Sequence, residues 1–280
     1  MDNDNGFSPT YPIELLARNP IAVDEAALTA ALAKRLGRVT PADGEGVGKT
    51  LHYALENYPV GSKDRSAPAR LVFLKPGDKA SPQVRTAAVE AALEQSSQAG
   101  VARSVYSACE HSLLMANMLS SSLPQHLRRE IVVNSLLAIL EVADIDLVYW
   151  MPTQQMIMPD DIRGQYSTPE ALANPVFGFL NVRLFRITNS DGDILMDTLG
   201  LNALGLTDFQ VHFHQLDTEP VGQLLYGLGA YAFEKGDVIE HGHTVGQDRW
   251  RCQHEMALVP PVRELLDINP GPEFAAGNRS

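Results

Sequence analysis

Near residue 210 the chain alternates apolar and polar side chains: Phe209, Val211 and Phe213 have one parity, Gln210, His212 and His214 the other. Successive side chains leave opposite faces of a strand, so this run predicts a half-buried β-strand with one face built for a core. Residues 24–36, DEAALTAALAKRL, open on acids and close on Lys34 and Arg35 before Gly37. That polarity suits a helix dipole and its C-cap, and predicts a helix. Residues 51–58 and 71–74 predict strands, with a loop over 59–68. Ser81 and Pro82 combine an N-cap with a proline at the first helical position, predicting a helix to about residue 98.

Residues 104–119 read as strand, with helical ambiguity over 113–118. The run Ser122, Leu123, Pro124, Gln125 fits a capping box for a helix to about 142, with Leu127, Ile131, Ser135, Ala138 and Val142 on one stripe. Residues 145–150 form an apolar β run, and the proline-bearing segment 152–175 predicts loop with one short helix. Strands over 177–188 and 194–197 are joined by a hairpin turn at 189–192. A helix over 220–234 and a strand over 251–259 complete the pattern. The fold class this predicts is α+β: a mixed, mainly antiparallel sheet with helices packed on one side, plus a small N-terminal helical segment. The expected organisation is an arm and helical segment over 1–65, a main α+β domain over 66–265 and a disordered tail over 266–280, with the first 20 or so residues extended or poorly ordered.

Composition narrows the function classes. With 45% hydrophobic and 20% charged residues in 280, the chain can bury a substantial core. It has no apolar run of membrane-spanning length and no basic-then-apolar leader, so the expected location is the cytoplasm. Cys109 and Cys252 are far apart and lack metal-type spacing, which predicts two reduced, buried thiols. A formal net charge of -12 argues against a nucleic-acid partner, since phosphate binding is dominated by Lys and Arg. It favours a basic protein partner, whose encounter an acidic surface accelerates.

The run MDTLGLNALGLTDFQVHF at 196–213, then a helix, then FEKGDVIEHGHTVG at 233–246, resembles the bacterial DUF4261 family, a domain of unknown function. The resemblance extends roughly over 70–259, and TLGLxALGLxDxQ is its most specific part. The family supplies no catalytic residues to transfer, so chemistry has to be argued from the residues themselves.

Histidines are the most suggestive group. His212 and His214 share the polar face of one strand, and His241 and His243 lie in the second signature run. Converging with Asp237 or Glu240, they would make a ligand set for zinc or a similar ion; the alternative is solvated or hydrogen-bonded surface histidines. Asp193, Asp197, Asp208 and Asp237 are acid-base candidates, although Asp beside Gly is also a turn former. Residues 44–50, GEGVGKT, imitate a phosphate-binding loop, but Asp43 stands where that loop needs its first glycine, so a flexible connection is expected. Cys109 beside His111 is a weak nucleophile candidate. Gly200 and Gly205 read as turn glycines.

Trp150, Met151, Met156 and Met158 offer either core packing or an adaptable contact surface. Asp160, Asp161, Asp191, Asp193, Asp237 and Glu240 are further candidate partner contacts. No strong catalytic signature is present and no cofactor is expected. The leading expectation is a non-enzymatic protein-binding module, specifically an immunity protein that occludes a bacterial toxin of the type VI secretion or Rhs-like kind, by analogy with other bacterial α+β domains of this size. The alternatives are a metal-dependent hydrolase using His212, His214, His241 and His243, and a structural or regulatory adaptor contacting partners through the first helix and the Trp150 region.

Overall fold

The structure is a computed structural model and describes residues 10–42, 50–62, 65–78, 86–96, 99–167, 174–188, 190 and 192–277. The glycine-rich run 44–49, the Ser81 and Pro82 helix start and Asp191 lie outside the described residues. The chain divides into two compact units, one of residues 8–174 and one built on residues 175–280. The sequence reading drew its first boundary at 65/66, a point that falls within a β-hairpin of the first unit.

In the first unit β1 (Thr10–Ala17), β2 (Val39–Pro41), β3 (Thr50–Ser62), β4 (Arg65–Asp78), β5 (His111–Met118), β6 (Leu147–Trp150) and β7 (Gln155–Ile157) form one sheet, in the order β2-β3-β4-β5-β1-β6-β7. The helices are α1 (Glu25–Leu36), α2 (Ala87–Glu94), α3 (Ala99–Ala108), α4 (Gln125–Val142) and α5 (Pro159–Tyr166). The segment expected to be a loose arm therefore contains a central strand. Tyr11, Ile13 and Leu15 are fully buried in β1, which pairs antiparallel with β5 on one side and β6 on the other. Its ladder with β6 spans only Glu14 to Leu16 and leaves Pro12 outside, which is how a proline is tolerated in an interior strand. Arg18 secures the end of β1: its backbone N–H and its guanidinium both donate to the Asp146 carboxylate just before β6.

Both faces of this sheet carry helices, where the sequence reading expected one. Leu16, Leu147, Tyr149 and Met156 share a face and pack with Val89, Ala92 and Leu93 of α2 and Ala102 and Tyr106 of α3. On the opposite parity the Trp150 indole N–H donates to the Tyr11 hydroxyl at 2.9 Å. Arg128 of α4 lies on this side, and burial pushes its guanidinium down to about 10, against the opposing influence of Tyr11. α1 packs along α4, with Arg35 bridging to Glu141 at 2.9 Å.

Three further expectations change. Residues 104–108, expected to start a strand, are the end of α3, where Ala102 and Tyr106, four apart, turn inward together. The capping box at Ser122 does not form: Pro124 has φ -54 and occupies the cap position, so the helix starts at Gln125 with no side-chain cap. The loop expected over 59–68 is the end of the β3–β4 hairpin, where Pro59 stands opposite Pro68 after an irregularity between Leu55 and Pro59.

In the second unit β8 (Asn181–Arg186), β9 (Ile194–Leu199), β10 (Asp208–Phe213), β11 (Thr244–Val245), β12 (Trp250–Met256) and β13 (Glu264–Asn269) form a sheet ordered β11-β12-β13-β10-β9-β8. All its pairs are antiparallel except β10 with β13. Helix α6 (Thr218–Lys235) packs on β8, β9 and β10, and Gly222 and Gly229 let it approach Met196 and Leu180 closely. Of the supposed disordered tail, residues 266–277 are tied to this sheet: β13 reaches Asn269, Phe213 bridges Ala275, and Ala276 N–H donates to His212 O. The class is α+β, as expected, but built on two sheets rather than one. Among the described residues no helix is long and apolar enough to cross a membrane.

Gly37 closes α1 at φ 79, and a Cβ there would run into the Asn57 side chain. Gly37→Ala is expected to lower stability by about 1–2 kcal/mol, seen as an earlier urea midpoint at unchanged slope.

Candidate functional site

The register of the second sheet places a row of polar side chains across one of its faces. Arg183 of β8 stands opposite Asp197 of β9, Asp197 opposite Gln210 of β10, Gln210 opposite Asp267 of β13, and Asp267 opposite Gln253 of β12. The opposite parity supplies Met196, Phe209, Val211 and Phe213, all buried. Alternation therefore does what the sequence predicts, except that the polar face is buried too: Arg183, Asp197, Asp208, Gln210, Arg263 and Asp267 are all at most 5% exposed.

Burying charge is costly unless it is paired and hydrogen-bonded, and here every group is engaged. Arg183 grips Asp197 in a fork, with Nε to Oδ1 at 2.9 Å and Nη2 to Oδ2 at 2.5 Å. Arg263, just before β13, donates through Nη2 to Asp197 Oδ2 at 2.8 Å and through Nε to Asp208 Oδ2 at 3.1 Å. Asp208 in turn accepts from the Thr198 hydroxyl at 2.9 Å and from the backbone N–H of Leu201 and Asn202. Burial raises the Asp208 carboxyl above the usual range, opposed by Arg263 and the Thr198 hydrogen bond. This explains the signature run TLGLNALGLTD: its aspartate ties the turn back onto the strand before it, and Gly200 and Gly205 take the φ values of 124 and 81 that the turn requires.

The same groups hold the loop over 257–263, between β12 and β13. Arg183 Nη1 donates to Pro260 O at 2.9 Å, Arg263 Nη1 to Pro261 O at 2.9 Å, and Leu258 N–H donates to Gln210 Oε1 at 3.2 Å. Gln210 is itself fixed by donating from Nε2 to Asp267 Oδ1 at 3.1 Å. Polar groups below thus restrain the loop backbone, while two of its side chains face outward: Leu258 is 58% exposed and Val262 79%, beside Met256, at the end of β12, at 49%.

The acid-base candidates separate accordingly. Asp197 and Asp208 belong to the buried lattice, with each carboxylate oxygen accepting at least one hydrogen bond. Asp237 accepts from the Thr207 N–H and hydroxyl, tying the signature turn to the segment after α6. Asp193 lies 3.8 Å from His212 Nε2 and 3.9 Å from His214 Nδ1. The other histidine pair engages different neighbours: His241 stacks on His254 with centroids 6.0 Å apart, and His243 Nδ1 accepts from Glu240 N–H at 3.2 Å. Among the described residues no three His, Cys, Asp or Glu side chains are grouped to hold a metal ion.

Trp150 is fully buried against Tyr11, and Met156 lies in the apolar core with Met158 packed beside it, so these three side chains pack inward, while Met151 is exposed. Cys109 is buried in the same core, just beyond α3, rather than in a strand. Asp160 and Asp161 lie exposed in the first turn of α5, with Asp160 accepting from Arg163 at 2.8 Å. Glu240 is exposed near His243.

Sequence reasoning missed Arg183, Arg263 and Asp267 entirely, and the signal for Arg183 was present. An arginine at the inward parity of NVRLFR, one hairpin turn before the aspartate of ILMDTL, asks for an acidic partner. Arg263 had no such signal, because it follows a proline loop whose path is not periodic.

The family model for a domain of unknown function (DUF4261) matches residues 197–269, which begins later than the expected 70–259 and runs past it to the end of β13. The chain therefore resembles this family, and the matched segment holds every member of the lattice except Arg183. Neither curated proteins nor solved structures gave a match.

Two outcomes follow. Asp197→Asn removes the carboxylate from buried Arg183 and leaves Arg263 only Asp208, and is expected to cost about 3–5 kcal/mol in chemical denaturation. Cys252 is fully buried and pushed up to about 11 by burial and then by Asp267, and Cys109 is 1% exposed. Both thiols are expected to resist a disulfide reagent in the native protein and to react together, two per chain, once it unfolds.

Proposed function

We propose that the chain is a non-enzymatic, cytoplasmic protein-binding module, and that it serves as an immunity protein covering the working surface of a basic bacterial toxin domain. The observation that carries this reading is the apolar loop over 257–263 with its restrained backbone. Outward Met256, Leu258 and Val262 lie between the exposed carboxylates Glu255 and Glu264, where Met256 stands opposite Glu264 across the ladder. An apolar centre with an acidic rim fits a partner whose apolar hollow is bordered by Lys and Arg. Fixing the loop backbone beforehand lowers the ordering cost of association. The chain's net charge of -12 would speed encounter with a cationic partner at low salt.

The test is co-expression with the product of the adjacent gene. Wild type is expected to co-purify with that product and to protect cells from it. The double variant Leu258→Asp, Val262→Asp is expected to bind at least about tenfold more weakly, with an unchanged melting temperature because both side chains are exposed. No complex and no protection with wild type would refute the reading.

A further inference from the structure

At the other end of the β12–β13 pair, about 20 Å along the strands from the apolar loop, the second unit has a concave site. It is an open cleft of about 930 Å³ whose lining includes Asp248, Arg249, Trp250, Arg251, Pro270 and Phe274. That volume is in the usual range for small-molecule sites, roughly 300–1,000 Å³.

Its walls are held by hydrogen bonds. On one side Arg249 has φ 55, unusual for a residue with a side chain, and its N–H donates to Gly246 O. On the other, Asn269 Oδ1 accepts from Gly271 N–H at 2.9 Å and Gly271 O accepts from Phe274 and Ala275. Phe274 O then accepts from His214 N–H at 2.9 Å, which anchors this wall to β10.

Three chemistries line the cleft, with Trp250 and Arg251, successive residues of β12, reaching it from opposite faces of that strand. Trp250 and Phe274, both partly exposed, offer ring faces. Arg249 and Arg251 are exposed on a chain of net charge -12, and among the described residues neither guanidinium has a hydrogen bond or ion pair. Asp248 is an exposed carboxylate, also without a described partner. A guanidinium fork matches phosphate oxygens, an aromatic face stacks on a flat base, and a carboxylate accepts from an exocyclic amine.

We infer that this cleft binds a mononucleotide-like organic phosphate, with Arg249 and Arg251 taking the phosphate, Trp250 and Phe274 the ring, and Asp248 an amine on its edge. This site is separate from the apolar loop and does not rest on the immunity reading.

Tryptophan fluorescence offers a direct test, because Trp150 is buried and hydrogen-bonded to Tyr11 while Trp250 is partly exposed at the cleft. The full-length protein is titrated with AMP, adenosine and inorganic phosphate, with calorimetry alongside. Saturable AMP binding with quenching is expected, adenosine and phosphate each binding at least about tenfold more weakly. Arg249→Gln with Arg251→Gln is expected to weaken AMP by about tenfold or more at unchanged melting temperature, and Trp250→Phe to abolish the quench. No saturable AMP binding at millimolar concentration, equal binding of phosphate alone, or full AMP affinity in the double arginine variant would overturn the inference.

Discussion

Everything distinctive about the second unit depends on one buried carboxylate, Asp197, held between the guanidiniums of Arg183 and Arg263. Ions removed from water demand several kcal/mol each in compensation, and good geometry with complete hydrogen bonding is the only way to supply it. The strand register meets that demand by setting Arg183 and Gln210 on either side of Asp197. The arginines then have donors left over, and these go to the carbonyls of Pro260 and Pro261. A requirement for charge satisfaction inside the sheet thereby becomes a fixed path for a loop outside it.

The same logic explains why the family signature has its form. A run of leucines and glycines ending in Thr-Asp looks like a sequence selected for a ligand loop, yet its aspartate faces inward and caps the turn. The region that the family shares is thus the part that assembles the lattice and holds the loop backbone. What the loop displays, Met256, Leu258 and Val262, is carried on a backbone that the lattice fixes from below.

Much of the secondary structure was legible because it follows period and punctuation. α1 begins and ends where Asp24 and Gly37 say it should, and the alternation of DFQVHF places β10 and its apolar face correctly. Tertiary context decided the rest. Pro12 and a polar start disguised β1 as an arm, although Tyr11, Ile13 and Leu15 alternate as a strand requires. Residues 104–108 were read together with the apolar run that follows them, although Ala102 and Tyr106, four apart, already carry a helical period. Of the site, the sequence indicated Asp197, Asp208 and the polar parity of Gln210, but not that the polar face is buried. Burial there depends on Arg183 and Arg263, whose partners lie as many as 77 residues away. The cleft at Trp250 was invisible for a similar reason, since it needs the turn after β13 that reads in sequence as a tail.

The placement of β1 has a consequence for biosynthesis. Leu16 pairs with Leu147, and Leu15 with Leu113, so β1 lies between two strands that are synthesised well after it. At translation speeds of about 5–20 residues per second, the second neighbour arrives on the order of ten seconds after β1. During that interval Tyr11, Ile13 and Leu15 can pair with β5 at most, and the strand becomes interior only when β6 has been made.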